Sequence, residues 1–304
     1  MPEIQGLPPP DTSPGKAIPL PIPTPPSNPI PSLETLRTWL PLYLSKTDAT
    51  IAQLSRILST PSGTDTFLLT LCYTSLLSSS LLSSLSLHRI HAAARRLISQ
   101  AIALPPHTTV IINTSALPPS RLLIASTRLK ALSELISDFR IFVRLWGLIS
   151  IYCWGKRVYN SPPKDDLNRK IVYTQVASNI AYQYLENGAY LASKGVLGWS
   201  KEKETKAWIW SSRFWMLHVG LDLVRLWREA KLRTLKGKQK EGSDEESKWI
   251  AKWRREMVVN AAWAPLTLHW SLEEGFAGDF WVGLLGSVAG LAGFRELWRT
   301  TGNV

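Results

Sequence analysis

From Leu122 to Trp146, apolar residues return at alternating steps of three and four: Leu122, Ala125, Leu129, Leu132, Ile136, Phe139, Val143 and Trp146. A helix collects those positions on one seam facing an apolar surface, whereas a strand scatters them over both faces. The flanks carry Arg121, Arg128, Lys130, Arg140 and Arg144 against only Glu134 and Asp138. A plain coiled coil would balance its flanking charges. Two readings therefore stay open, a helix inside a bundle or a helix lying in an anionic membrane surface.

The rest of the chain also reads as helix. A short capped helix starts at Ser32 and breaks at Pro41, a second covers 48–58, and Ser62–Asp65 forms a turn and N-cap. Residues 66–87 carry no charge and are long enough to cross a bilayer. Seven serines among nine leucines make that stretch a weak span, so a buried or interface-lying helix is expected there. Residues 84–104 sort Ile90, Ala94, Leu97, Ile98 and Ala101 away from His88, His91, Arg95 and Arg96, until Pro105-Pro106 ends them. A loop is expected over 107–117. Further helices are expected over 171–185, interrupted near Asn187-Gly188, over 207–235, and from Trp249 to Pro265.

Gly283, Gly286, Gly290 and Gly293 fall on one helical stripe. Each glycine costs a helix about 1 kcal/mol, so four together make sense where a second backbone comes close, in a transmembrane helix pair or a tightly packed soluble one. The 19 residues 276–294 are long enough to form a membrane span. Arg295 and Arg299 after that run, against Arg255 before it, favour a cytosolic C-terminus.

Composition narrows the partners. A net charge of +12 in a chain only 19% charged calls for an anionic partner, either nucleic acid or a membrane surface. Thirteen of the 14 tryptophans lie from Trp146 onward, and indole favours the lipid–water boundary, which tilts the choice to membrane. A mean hydropathy of −0.03 excludes a polytopic transporter. Two cysteines cannot build a disulfide framework or a cysteine zinc site. No nucleotide loop, HExxH or nucleophile elbow is present. His88 and His91 lack a third ligand nearby, and the adjacent Glu273 and Glu274 point apart on a helix. The expectation is no enzyme, no cofactor and no metal.

The fold class is therefore all-α: a membrane-associated helical bundle with amphipathic surface helices and a Gly-rich C-terminal membrane helix. Residues 1–32 form a disordered arm, with 12 prolines in the first 31 positions. No uninterrupted apolar core follows the start, so no secretory signal is expected. Residues 33–304 form the helical membrane domain, with a flexible charged loop at 236–248.

Four blocks resemble the peroxin-eleven family of peroxisomal membrane proteins, and within it the fungal forms. They are residues 63–75 (GTDTFLLTLCYTS), 128–147 (RLKALSELISDFRIFVRLWG), 210–228 (WSSRFWMLHVGLDLVRLWR), and 263–298 with Pro265-Leu266, His269-Trp270-Ser271 and the glycine stripe. The likeness runs from about residue 33 to the end. The first block departs from the family in having no basic residue between Arg56 and Arg89, which moves the expected insertion to 84–104 or 121–146.

The resemblance implies a protein of the peroxisomal membrane, termini cytosolic, that elongates the organelle before fission by inserting an amphipathic helix. Leu129, Leu132, Ile136, Phe139, Val143 and Trp146 would be the wedge. Arg128, Lys130, Arg140 and Arg144 would hold anionic phospholipid, at about 1 kcal/mol each. Gly283, Gly286, Gly290 and Gly293 would pair helices in a homo-oligomer. Fission factors and a dynamin-related GTPase would be partners, and nucleic acid would not. A pore for small metabolites is the alternative. A basic helical nucleic-acid binder is the second alternative, and it leaves the glycine stripe unexplained.

Overall fold

The computed structural model describes residues 33–103, 105, 121–235 and 244–302. The proline-rich arm, the loop at 107–117 and residues 236–243 of the charged loop lie outside the described residues. The chain falls into two compact units, Met1–Thr50 and Ile51–Val304.

Eight α-helices occupy the described residues: α1 (Leu33–Leu58), α2 (Pro61–Ile102), α3 (Arg121–Val143), α4 (Gly147–Asn160), α5 (Asp166–Ser193), α6 (Lys201–Leu235), α7 (Asp244–Trp270) and α8 (Asp279–Thr301). No strand is present among these residues, so the chain is all-α as expected.

Several boundaries differ from expectation. α1 runs through Pro41 instead of breaking there. Proline removes one backbone bond and strains the preceding turn, and the helix bears that locally. α2 starts one turn earlier than Ser62–Asp65 implied. Thr60 is its N-cap, accepting from the Gly63 amide at 3.1 Å, and Pro61 takes the first helical position, where its missing N–H costs nothing. The two stretches expected as 66–87 and 84–104 are one continuous helix. α7 begins at Asp244, so 244–248 belong to a helix and not to a loop; three acids in its first turn suit the positive end of the helix dipole. It also continues past Pro265 to Trp270.

The seam helix ends at Val143, short of the expected Trp146. A single 3-10 turn at Arg144–Trp146 divides α3 from α4. Gln183 Nε2 donates to the Arg144 carbonyl at 3.0 Å, and Asn187 Nδ2 donates to the Leu145 carbonyl at 2.6 Å. Side chains of α5 thus satisfy carbonyls freed by the break. Gly147 makes this approach possible, since a Cβ there would sit 2.7 Å from Gln183 Oε1. α5 passes unbroken through Asn187-Gly188, where the Trp199 ring lies against the bare glycine backbone.

Within the second unit the helices follow one another around a closed ring. α2 lies between α3 and α8; α8 meets α7, α7 meets α6, and α6 meets α5. α5 in turn meets the turn at the end of α3.

Candidate membrane interface and the cavity inside the helical ring

α2 is the one described helix long and apolar enough to cross a membrane. Of the serines that weakened it as a span in the sequence, Ser79 bonds to the neighbouring α3. Ser79 Oγ donates to the Ser126 carbonyl at 2.8 Å, and Ser126 Oγ donates to the Ser79 carbonyl at 2.8 Å. Cys72 Sγ donates to the Ser133 carbonyl at 3.4 Å. Small hydroxyl residues of this kind let two helices approach and bond without water, as membrane helices do. By length and apolarity among the described residues, α2 meets the requirement of a span and α8 does not. Residues 276–278 precede α8, which begins at Asp279.

The glycine stripe of α8 is filled by the opposite edge of α2. A Cβ on Gly283 would lie 2.7 Å from the Leu77 backbone nitrogen, one on Gly286 2.3 Å from the Tyr73 ring, and one on Gly290 3.0 Å from Thr70 Cα. Gly293 is looser, at 3.3 Å from Thr66. The second backbone that the stripe requires is thus in the same chain. Self-association through these four residues, the expected use, would have to displace α2.

The seam of α3 is also divided. Ile136 is 7% exposed and belongs to the core, and Leu129 is half-buried. Leu132, Phe139, Val143 and Trp146 are exposed. The side of α3 that meets α2 is lined by Ser126 and Ser133, because the two backbones come too close for large residues. Exposed apolar residues that the seam missed, Leu135 at 67% and Phe142 at 47%, lie on the outer side with Phe139. The signal for this division is in the sequence: Ser126 and Ser133 stand one heptad apart and mark the true contact face.

Three of the four expected lipid-binding cations are already paired. Lys130 Nζ lies 2.7 Å from Asp279, Arg140 Nε 2.8 Å from Asp65, and Arg144 holds Glu186 with Nε at 3.0 Å and Nη2 at 2.8 Å. Tyr182 donates to the same Glu186 carboxylate at 2.9 Å. The carboxylates sit on α8, α2 and α5, so sequence distance hid them. Arg128 alone of the four is exposed without an ion pair among the described residues.

The second half of α2 behaves differently. Every residue from Leu87 to Ile102 is exposed, a stretch of about 24 Å at 1.5 Å per residue. Leu87, Ile90, Ala94, Leu97, Ile98 and Ala101 share one side, while His88, His91, Arg95 and Arg96 take the other. No acidic residue occurs anywhere between Asp65 and Glu134 to pair with these cations.

Inside the ring lies a cavity of about 740 Å³. Arg140, Arg144 and Glu186 line it, together with Trp208, Trp215, Trp263 and Trp270. Trp215 stacks on Trp270 with centroids 5.6 Å apart and meets Trp263 at 5.3 Å. A separate polar cluster ties α5, α6 and α7. Gln175 Nε2 and Asn260 Nδ2 donate to Asp222 at 3.2 and 2.8 Å, and Arg225 reaches Asp222, Glu229 and Glu256. Burial alone would raise the Asp222 carboxyl, but the Arg225 guanidinium and the Gln175 amide hold it below its ordinary value. Burial pushes the neighbouring His218 imidazole down, so it stays neutral near pH 7.

These features define a helical bundle with one helix long and apolar enough to cross a membrane, and with no group of three His, Cys, Asp or Glu placed to hold a metal among the described residues. Residues 123–298, more than half of the chain, match the family described as peroxisomal biogenesis factor 11. The chain belongs to that family, and so to the peroxisomal membrane and the biogenesis of peroxisomes. It is 30% identical over 190 residues to an uncharacterized protein of Schizosaccharomyces pombe, covering 62% of this chain and 84% of that relative. No solved structure matches it.

Proposed function

We propose that this protein remodels the peroxisomal membrane through the exposed second half of α2, with the first half of the same helix as its anchor. The observation that carries this reading is the stretch Leu87–Ile102, which is apolar on one side, cationic on the other and exposed throughout among the described residues. Inserted among headgroups of the cytosolic leaflet, such a wedge spreads one leaflet against the other and favours elongation. Arg89, Arg95 and Arg96 would each gain about 1 kcal/mol beside an anionic surface. The outer side of α3, with Leu135, Phe139 and Phe142, would add apolar contact. Elongation of this kind would feed fission factors and a dynamin-related GTPase. Homo-oligomers would form through faces other than the filled glycine stripe.

A pore for small metabolites has one observation in its favour, the cavity enclosed by the ring. Among the described residues one helix has spanning length and apolarity, too few for a single chain to build a pore wall of helices. The test is organelle shape in cells expressing the full chain with Arg89, Arg95 and Arg96 all changed to Gln. The expected outcome is correct targeting with fewer elongated peroxisomes. Unchanged elongation would move the activity away from α2.

A further inference from the structure

The cavity inside the ring has a wall chemistry that its packing role leaves unused. At about 740 Å³ it is the size of a small-molecule site. Arg140 and Arg144 each spend two donor nitrogens on Asp65 and Glu186. A guanidinium carries five N–H groups, so each keeps donors to spare on the cavity it lines. Trp208, Trp215, Trp263 and Trp270 line the same cavity, Trp215 and Trp270 stacked on each other. Lysine or arginine covers Trp199, Trp210, Trp227 and Trp249, but none of these four indoles carries a cation among the described residues. Glu204 is 7% exposed and bonded to Lys201, whereas Glu273 is exposed and forms no ion pair among the described residues.

These walls select by charge. Arg140, Arg144 and Lys201 balance Glu186, Glu204 and Glu273. A purely anionic ligand would meet the carboxylates, a purely cationic one the arginines, and an apolar one would strip water from both. A ligand with an anion at one end and a bulky ammonium at the other satisfies all three walls. Phosphate suits the planar donors of arginine, and a substituted ammonium suits tryptophan faces beside a carboxylate.

We propose that this cavity binds a zwitterionic phosphodiester, its phosphate at Arg140 and Arg144 and its ammonium over the indoles beside Glu273. The site is independent of which helix shapes the membrane. Two sources carry this chemistry, a phospholipid headgroup and a soluble glycerophosphodiester.

The full chain, purified in maltoside detergent, would be mixed with dioleoylphosphatidylcholine, dioleoylphosphatidylglycerol or glycerophosphocholine, and bound ligand counted by native mass spectrometry. Phosphatidylcholine is expected to be retained about tenfold better than phosphatidylglycerol. Glu273→Gln, at an exposed carboxylate without an ion pair, and Trp208→Leu should each narrow that preference. Retention of glycerophosphocholine as tight as that of the lipid would support the same site with a soluble ligand as its source. Equal retention of both lipids, no retention of either zwitterion, or a preference untouched by both variants would overturn the proposal.

Discussion

α3 and the second half of α2 look alike on paper, both basic helices with an apolar side, and the molecule uses them in opposite ways. α3 spends Lys130, Arg140 and Arg144 on carboxylates of α8, α2 and α5, and turns Ile136 inward. The second half of α2 is exposed along its whole length and forms no ion pair among the described residues. A cation's role follows from where the nearest carboxylate lands in space. Amphipathic pattern alone does not separate a bundle helix from a surface helix.

The largest expected effect falls on the paired side. Glu186 is almost fully buried and holds Arg144, so Glu186→Leu leaves a charge unpaired in the ring. Loss of about 3 kcal/mol or more is expected, read as a lowered thermal midpoint of the purified chain. If the midpoint barely moves, α3 is less committed to the bundle than its geometry implies. Next comes the edge that α2 shares with α8. Gly283→Leu must push against the Leu77 backbone and should cost about 1–3 kcal/mol, whereas Gly293→Ala should be nearly silent.

A pH titration sharpens the same contrast. Asp222 sits below its ordinary value in the fold, so its contribution is complete above the usual carboxylate range, about pH 4. It is then lost as pH falls through the depressed value. Unfolding monitored by circular dichroism should show an acid limb that Asp222→Asn flattens. The smallest effect on stability among the pairs belongs to Lys130→Gln, because its bridge to Asp279 is half-exposed and worth at most about 1 kcal/mol. Smaller still on stability, and larger on membrane binding, is the triple Arg89, Arg95 and Arg96 to Gln change. It should leave the thermal midpoint in place and remove the salt-sensitive attachment to anionic vesicles.

Periodicity located the all-α class and the close approach marked by the glycines, but on α3 it picked the seam and not the Ser126 and Ser133 face that meets α2. It did not reveal that Thr66–Leu87 and Ser84–Leu104 are one helix, because serines read as polar until Ser79 and Ser126 are seen exchanging bonds. The break at Arg144–Trp146 depends on Gln183 and Asn187, about 40 residues away, and no local pattern announces it. Three of the four expected lipid-binding cations have carboxylate partners that sequence could not show, since Asp65, Glu186 and Asp279 reach them only through the fold. What remained legible was the sorting of apolar and basic residues along the second half of α2, with no acidic residue between Asp65 and Glu134.

The measurement that tests this account most directly is the shape of anionic liposomes carrying the full chain, imaged by electron microscopy. The wild-type chain would be compared with Ile90→Glu combined with Leu97→Glu, and with Phe139→Glu. The account predicts tubules with wild type, none with the α2 pair despite an unchanged thermal midpoint, and a partial loss with Phe139→Glu. Tubules that survive the α2 pair and vanish with Phe139→Glu would contradict it and return the wedge to α3.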